Sequence, residues 1–279
     1  MSPEIAALVL LAALLHALWN ALVKAGLDSL LILASVALAT TVTGALMIPF
    51  FPPPAPASWL YILLSSVLHY GYYLFLLQAY RFGDLSHVYP MARGIAPLLV
   101  AGGAALFAHE FLSATATAGV ALASIGITSL AFAGGPPWKS DARPLLFALG
   151  TSVFIAAYSV VDGVGVRLSN SPFGYMAWLF LLEFPFPAVA LYRCRRRIVA
   201  FVRTQWKSAV GAGVTSVGAY ALVIYAVNFA PMASVSALRE SSVIIAALIG
   251  TLLLGEPSGW RRVGAAVMVV AGVALLTIG

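Results

Sequence analysis

The chain has 279 residues, 62% of them hydrophobic and 9% charged, with a formal net charge of +6 and a mean hydropathy of +1.01. Soluble domains carry about 25% charged residues, so this composition excludes a soluble globular protein and describes a chain that crosses a membrane repeatedly. Its basic residues stand between apolar runs, which makes the charge an orientation signal and not a nucleic-acid surface.

A membrane-spanning helix needs about 20 apolar residues. Cutting the sequence at its polar and Pro/Gly breaks gives ten runs: 4–22, 29–50, 59–80, 86–108, 115–134, 144–166, 173–192, 208–229, 233–254 and 260–278. The stretch GGPPWKSDARP at 134–144 is the polar linker near the middle. It divides the chain into two five-span repeats, 1–135 and 142–279. Five is odd, so the second repeat must lie upside down relative to the first. The expected fold is an all-α polytopic membrane protein, ten transmembrane helices arranged as two inverted five-helix repeats around a central cavity. Residues 1–18 lack a basic leader region, so no cleavable signal peptide is expected.

In the first span His16, Asn20 and Lys24 follow one another at intervals of four and share one helix face. They either bond a neighbouring helix, with Lys24 snorkelling to the interface, or face a cavity, and the length of the stripe favours the cavity. The third span puts His69, Tyr72, Tyr73, Leu76 and Tyr80 on one face, with Gln78 on its flank. Tyr80 suits an interfacial belt, whereas His69, Tyr72 and Tyr73 sit deeper, as packing or as the wall of a substrate pocket.

The fourth span carries Pro90, Arg93, Gly94 and Pro97, with Tyr89 on the face of Arg93. The two prolines predict a kinked or locally open helix. A guanidinium beside freed carbonyls suits a carboxylate or phosphate; alternatively Arg93 pairs with Asp162, Glu183 or Glu240 and only holds helices together. A register shift of 146 places Arg93 on Arg239 and Glu110 on Glu256, so each half has one arginine at membrane depth. Such cations are costly in hydrocarbon and mark a protein-lined or wet cavity.

Spans five and ten, with Gly119, Gly126, Gly264 and Gly272 among alanines, read as packing helices. The sixth span has Tyr158 and Asp162 on one face, and Asp162 is either a proton carrier or a helix-end partner of Arg167. Glu183, followed by Pro185 and Pro187, marks a broken seventh span with an ionisable group at its centre. Glu183, Asp162 and Glu240 are the candidate proton-coupling acids. Tyr220 and Asn228 complete a polar lining in the eighth span.

Numbering the loops in order, the odd ones hold Lys24, Arg81, Lys139, Arg143, Arg261, Arg262 and six basic residues between 193 and 207, while the even ones hold only Arg167. That bias puts odd loops in the cytoplasm and both termini outside. The chain has no Walker A loop, glycine-rich nucleotide fingerprint or HExxH. Histidines 16, 69, 87 and 109 lack ligand spacing, Cys194 is alone, and nothing places a serine beside a positioned base. The chain is therefore expected to be no enzyme and to use no metal or cofactor. Its partners are a small-molecule substrate and the lipid bilayer, without nucleic acid; a homodimer is left open.

Several stretches carry a family resemblance: HALWNALVKAG at 16–26, QAYRFGDLSHVYPMARGIAPLL at 78–99, Glu110, LLLGEP at 252–257 and RRVGAAVMVVAGVALL at 261–276. In these the chain resembles the drug/metabolite transporter superfamily, specifically its ten-helix EamA-type proteins. The resemblance implies alternating access through a cavity lined by spans 1, 3, 4, 6, 8 and 9, with spans 5 and 10 as scaffold. It implies a multi-pass protein of the cell's inner (plasma) membrane. It also places Arg93 and Arg239 where related sugar-phosphate exchangers bind an anionic group, and residues 78–99 are similar to a subgroup associated with phosphonate-utilisation operons. The expected function is secondary transport of a small polar, anionic metabolite, by proton coupling or exchange. Arg93, Arg239, His16, Asn20, His69, Tyr72, Tyr73 and Tyr89 are the expected substrate-binding residues. An amino-acid exporter with an aromatic-lined site and a non-transporting scaffold or sensor component are the rival readings.

Overall fold

The computed structural model describes residues 1–26, 28–82, 85–132, 142–245 and 260–278, and these are helical apart from turns and caps. The helices are α1 (Pro3–Ala25), α2 (Ser29–Met47), α3 (Trp59–Phe82), α4 (Leu85–Ala108), α5 (Ala114–Leu130), α6 (Arg143–Leu168), α7 (Pro172–Leu181), α8 (Pro185–Cys194), α9 (Ile198–Val227), α10 (Met232–Arg239) and α11 (Trp260–Ile278). Among the described residues seven stretches are long and apolar enough to span a membrane, α7 and α8 together making one of them. The fifth and tenth spans are the shorter α5 and α11. The ninth begins as α10, and its remainder from 246, with Glu256, lies outside the described residues, as do the linker at 133–141 and the side chain of Lys24.

Side chains from the neighbouring sequence set the helix starts. Ser2, Asp28, Ser113 and Ser171 each accept a backbone N–H from the first turn of α1, α2, α5 and α7, which supplies donors that the helix itself leaves unpaired. The seventh span breaks where its sequence predicts. α7 ends at Leu181 and Pro185 opens α8, so Glu183 stands in the turn between them. The fourth span is not locally open, for α4 stays helical through Pro90 and Pro97. Neighbouring polar groups can re-satisfy a proline-disturbed helix, and here Ser152 Oγ donates to the Ala92 carbonyl at 2.9 Å. The ninth span departs in the other direction. Its helix stops at Arg239, a turn follows at Glu240–Ser241, and helix resumes at Ser242.

The packing partners repeat with an exchange of halves. α3 lies on α6 as α1 lies on α9, and α4 lies on α6 as α1 lies on α10. Three contacts join equivalent spans: α2 with α7 and α8, α4 with α10, and α5 with α11. Within these contacts, replacing each span by the one five places away returns another contact of the same group. The α5–α11 contact depends on small residues, as expected. A Cβ on Gly119 would meet the Gly272 carbonyl at 2.8 Å, and one on Gly272 would meet the Gly119 carbonyl at 2.7 Å. Lipid tails supply no hydrophobic drive between helices, so close backbone approach has to supply the attraction. Gly264 differs: it faces open space.

Loop contacts sort the chain into two faces. Arg197 pairs with Asp28 at 2.7 Å and Arg143 lies over the Phe82 ring, joining odd loops to odd loops. Ser171 donates to the Pro52 carbonyl at 2.9 Å and Arg167 pairs with Glu110 at 2.7 Å, joining even loops to even loops. Strict alternation of this kind is what ten spans produce.

Candidate functional site

The centre of the bundle holds a cavity of about 70 Å³ whose walls come from both repeats. Its charged wall is built where α4 meets α10. Arg93 is buried on α4, and its Nε donates to Glu240 Oε2 at 2.7 Å. Arg239 ends α10, and its Nε lies 3.6 Å from the other oxygen of the same carboxylate. Consecutive residues on a helix point about 100° apart, so Glu240 meets the arginine of the facing span more closely than its own neighbour. The shift that superposes Arg93 on Arg239 puts Gly94 on Glu240. Gly94 packs so tightly that a Cβ there would meet the Thr128 backbone nitrogen at 2.8 Å. At this wall the two repeats therefore contribute two guanidiniums and a single carboxylate. Among the described residues Arg93 Nη2, Arg239 Nε and Arg239 Nη2 are buried without a hydrogen-bond acceptor. Leaving such a donor unpaired costs about 1–3 kcal/mol.

The opposite walls are aromatic and weakly polar. His69 stacks on Tyr158 with ring centroids 4.1 Å apart, Tyr72 lies 5.3 Å from Tyr73, and Tyr220 meets His69 edge-on at 5.6 Å. His69 Nδ1 is 2.9 Å from the Ser65 carbonyl. A carbonyl only accepts, so that nitrogen carries the hydrogen. His16 has the other arrangement. The Trp19 indole donates to its Nδ1 at 3.1 Å, which leaves Nε2–H as a donor.

Two further carboxylates stand beside the cavity, each held by hydroxyls and not by a cation. Thr40 and Tyr73 both donate to Glu183 Oε2, at 2.9 and 3.2 Å. Asp162 accepts from Tyr175 at 2.9 Å and, through its other oxygen, from Tyr220. A small side cavity of about 10 Å³ lies between Asp162 and Arg239. Asp162 is thus not the partner of Arg167.

Arg167 belongs to a separate cluster at the even face. Its Nη1 donates to Glu110 Oε2 at 2.7 Å, and its Nε and Nη2 each donate to a carbonyl, of Val227 and Ala230, at 2.9 Å. Glu110 Oε1 accepts the Met232 amide that opens α10, at 2.5 Å. His109, at φ 53°, reverses the chain after α4 and the Glu110 amide returns to the Ala104 carbonyl. A left-handed residue at a helix end favours glycine in that position, before the acid. The second repeat has Gly255 before Glu256.

The model of the EamA-like transporter family matches residues 142–278. By that half, its second repeat, the chain is EamA-like. It is accordingly a multi-pass membrane transporter of the drug/metabolite type. A solved structure titled only "Crystal structure of protein" superposes with a TM-score of 0.71 and 18% identity, over 99% of this chain and 96% of its own; a likeness at that identity shows the fold alone. No curated protein matches.

In this EamA-like transporter His16, His69, Tyr72, Tyr73, Arg93, Arg239 and Glu183 all line the cavity. Of the described side chains of the first-span stripe His16 does so and Asn20 does not, its Nδ2 turning back to the His16 carbonyl at 2.8 Å. Tyr89 also stands outside the wall, packed on Ala123, Ile127 and Val243, with its hydroxyl unpartnered among the described residues. Glu240 pairs with Arg93, not with Arg239 alone. Thr40, Trp19 and Tyr175 are site residues that sequence reasoning missed or left in the background. Thr40 carries no sequence signal, being one of three threonines in an apolar run. The break at Glu240 had one, the polar string Ser-Val-Ser-Ala-Leu-Arg-Glu-Ser-Ser inside a span.

Proposed function

We propose that this transporter is a secondary active carrier of a small polar metabolite bearing an anionic group, working by alternating access in the cell's plasma membrane. The observation that carries the reading is the central triad, two buried guanidiniums sharing one carboxylate and keeping three donor nitrogens unpartnered. A carboxylate, phosphate or phosphonate oxygen entering the cavity would take up those donors. Glu240 would serve as the resident counter-ion. Glu183 and Asp162, bonded only to hydroxyls, are the groups free to carry a coupling proton; exchange of one anion for another needs neither. The cavity of about 70 Å³ has room for a few waters, so a metabolite enters as the walls part. The odd-loop face, with its excess of arginine, would face the cytoplasm.

A second reading has its own support. The His69, Tyr72, Tyr73, Tyr158 and Tyr220 rings form an apolar wall with polar tips, suited to the side chain of an amino acid whose carboxylate meets the arginines. Counterflow in proteoliposomes separates the two, using phosphonates, phosphate esters, dicarboxylates and neutral amino acids. The proposal expects anion exchange. Exchange confined to neutral amino acids would move the reading to the aromatic wall, and silence across the panel would defeat both.

A further inference from the structure

The seventh loop and the start of α9 form a surface that the transport site does not use. α9 has 30 residues, about 45 Å of helix, against a hydrocarbon core of about 30 Å. Its other end is fixed at the even face, where Arg167 caps the Val227 carbonyl, so the excess lies at the beginning, over about residues 198–207. The sequence reading began this span at 208, because Arg203 and Lys207 interrupt the hydropathy. The helix nevertheless starts at Ile198, since Phe201 is buried against Cys194, Leu31 and Trp19.

This overhang has three distinct sides. Phe201 points into the protein, Val199, Val202 and Trp206 are exposed, and Arg203 and Lys207, four residues apart, form an exposed basic ridge beside them. Arg193, Arg195 and Arg196 stand exposed in the adjoining turn around an open recess. Arg197 is engaged, by Asp28 at 2.7 Å; among the described residues the other five make no ion pair. Arg195 lies over the Tyr192 ring and Lys207 over that of Trp206. Exposed aromatic rings beside cations are the usual furniture of the headgroup layer.

We propose that this overhang and turn bind the phosphate headgroups of anionic phospholipids in the leaflet at the odd-loop face. Arg193, Arg195, Arg196, Arg203 and Lys207 would receive the phosphates, while Val199, Val202 and Trp206 rest on the acyl boundary. The continuity of the apolar stripe with a membrane-spanning helix selects a lipid over a soluble anion. Each cation near an anionic bilayer surface strengthens attachment about fivefold, so three removed together weaken it by roughly 100-fold.

The test measures lipid retained by the purified full chain in neutral detergent, with phosphatidylglycerol against phosphatidylcholine, for wild type and R195Q/R196Q/R203Q. Thermal unfolding without added lipid verifies that the variant is folded, and the companion variant V199S/V202S probes the apolar stripe. The expected result is a preference for phosphatidylglycerol that the triple variant loses, that 0.5 M salt reduces and that millimolar inorganic phosphate leaves in place. Equal retention of the two lipids by wild type, an undiminished preference in the folded triple variant, or full displacement by inorganic phosphate would each overturn it.

Discussion

Two ionic clusters hold this transporter together, and they differ in what their arginines leave undone. At the even face Arg167 donates to Glu110 and to two backbone carbonyls, and Glu110 also accepts the Met232 amide. At the centre Arg93 and Arg239 share Glu240 and, among the described residues, keep Arg93 Nη2 and Arg239 Nε and Nη2 buried without acceptors. The first arrangement is complete in the protein alone and fastens α4, α6, α9 and α10. The second leaves those donors open, and the proposed function fills them with an anion. Residue type does not separate a structural cation from a binding one at membrane depth. The number of its donors that the protein satisfies does.

The comparison can be broken most forcefully at Glu240. Glu240→Ala leaves two buried guanidiniums without a carboxylate, and removing one partner of a buried pair costs about 3–5 kcal/mol. A drop in unfolding midpoint larger than that of any variant below is expected. Next comes Arg93→Ala, which takes away charge-assisted hydrogen bonds worth about 1.5–3 kcal/mol each. It should lower kcat/KM for the anionic substrate by about 10²-fold while costing less stability than Glu240→Ala, because Arg239 still faces the carboxylate. Arg167→Ala inverts that pattern. Loss of a partly exposed clasp should cost about 2 kcal/mol in unfolding and leave KM of the folded protein within about twofold, read by transport at saturating and sub-saturating substrate. Thr40→Val, which removes a neutral donor from Glu183, should cost about 1 kcal/mol. Its transport readout shows whether the hydroxyl-held carboxylates behave like the clasp or like the centre.

Most of the architecture was legible because membrane spans are written in runs of apolar residues. The break at Glu183 was legible because a proline such as Pro185 suits the first turn of a new helix. The paired arginines showed through the internal repeat. What sequence could not show was which acid reaches which arginine. Glu240 lies next to Arg239 in the chain, yet helix geometry turns neighbours apart and brings Arg93 across from the other repeat. Asn20 shares a face with His16, yet its amide returns to its own helix. Thr40 entered the site only because α2 packs on the break between α7 and α8. The Glu110 clasp depends on the folded positions of three other helix ends, which no local pattern records.

The most direct test of the account is ligand-induced thermal stabilisation of purified wild type, Arg93→Ala, Arg239→Ala and Arg167→Ala. The probe is the compound from the counterflow panel that the wild type exchanges best. Binding to the folded state at 100 times Kd contributes about 2.7 kcal/mol, a readily measured rise in Tm. The account predicts that rise in wild type and in Arg167→Ala, and its loss in both central variants. Stabilisation that survives Arg93→Ala and Arg239→Ala would contradict it, and would return the central arginines to the role Arg167 plays at the even face.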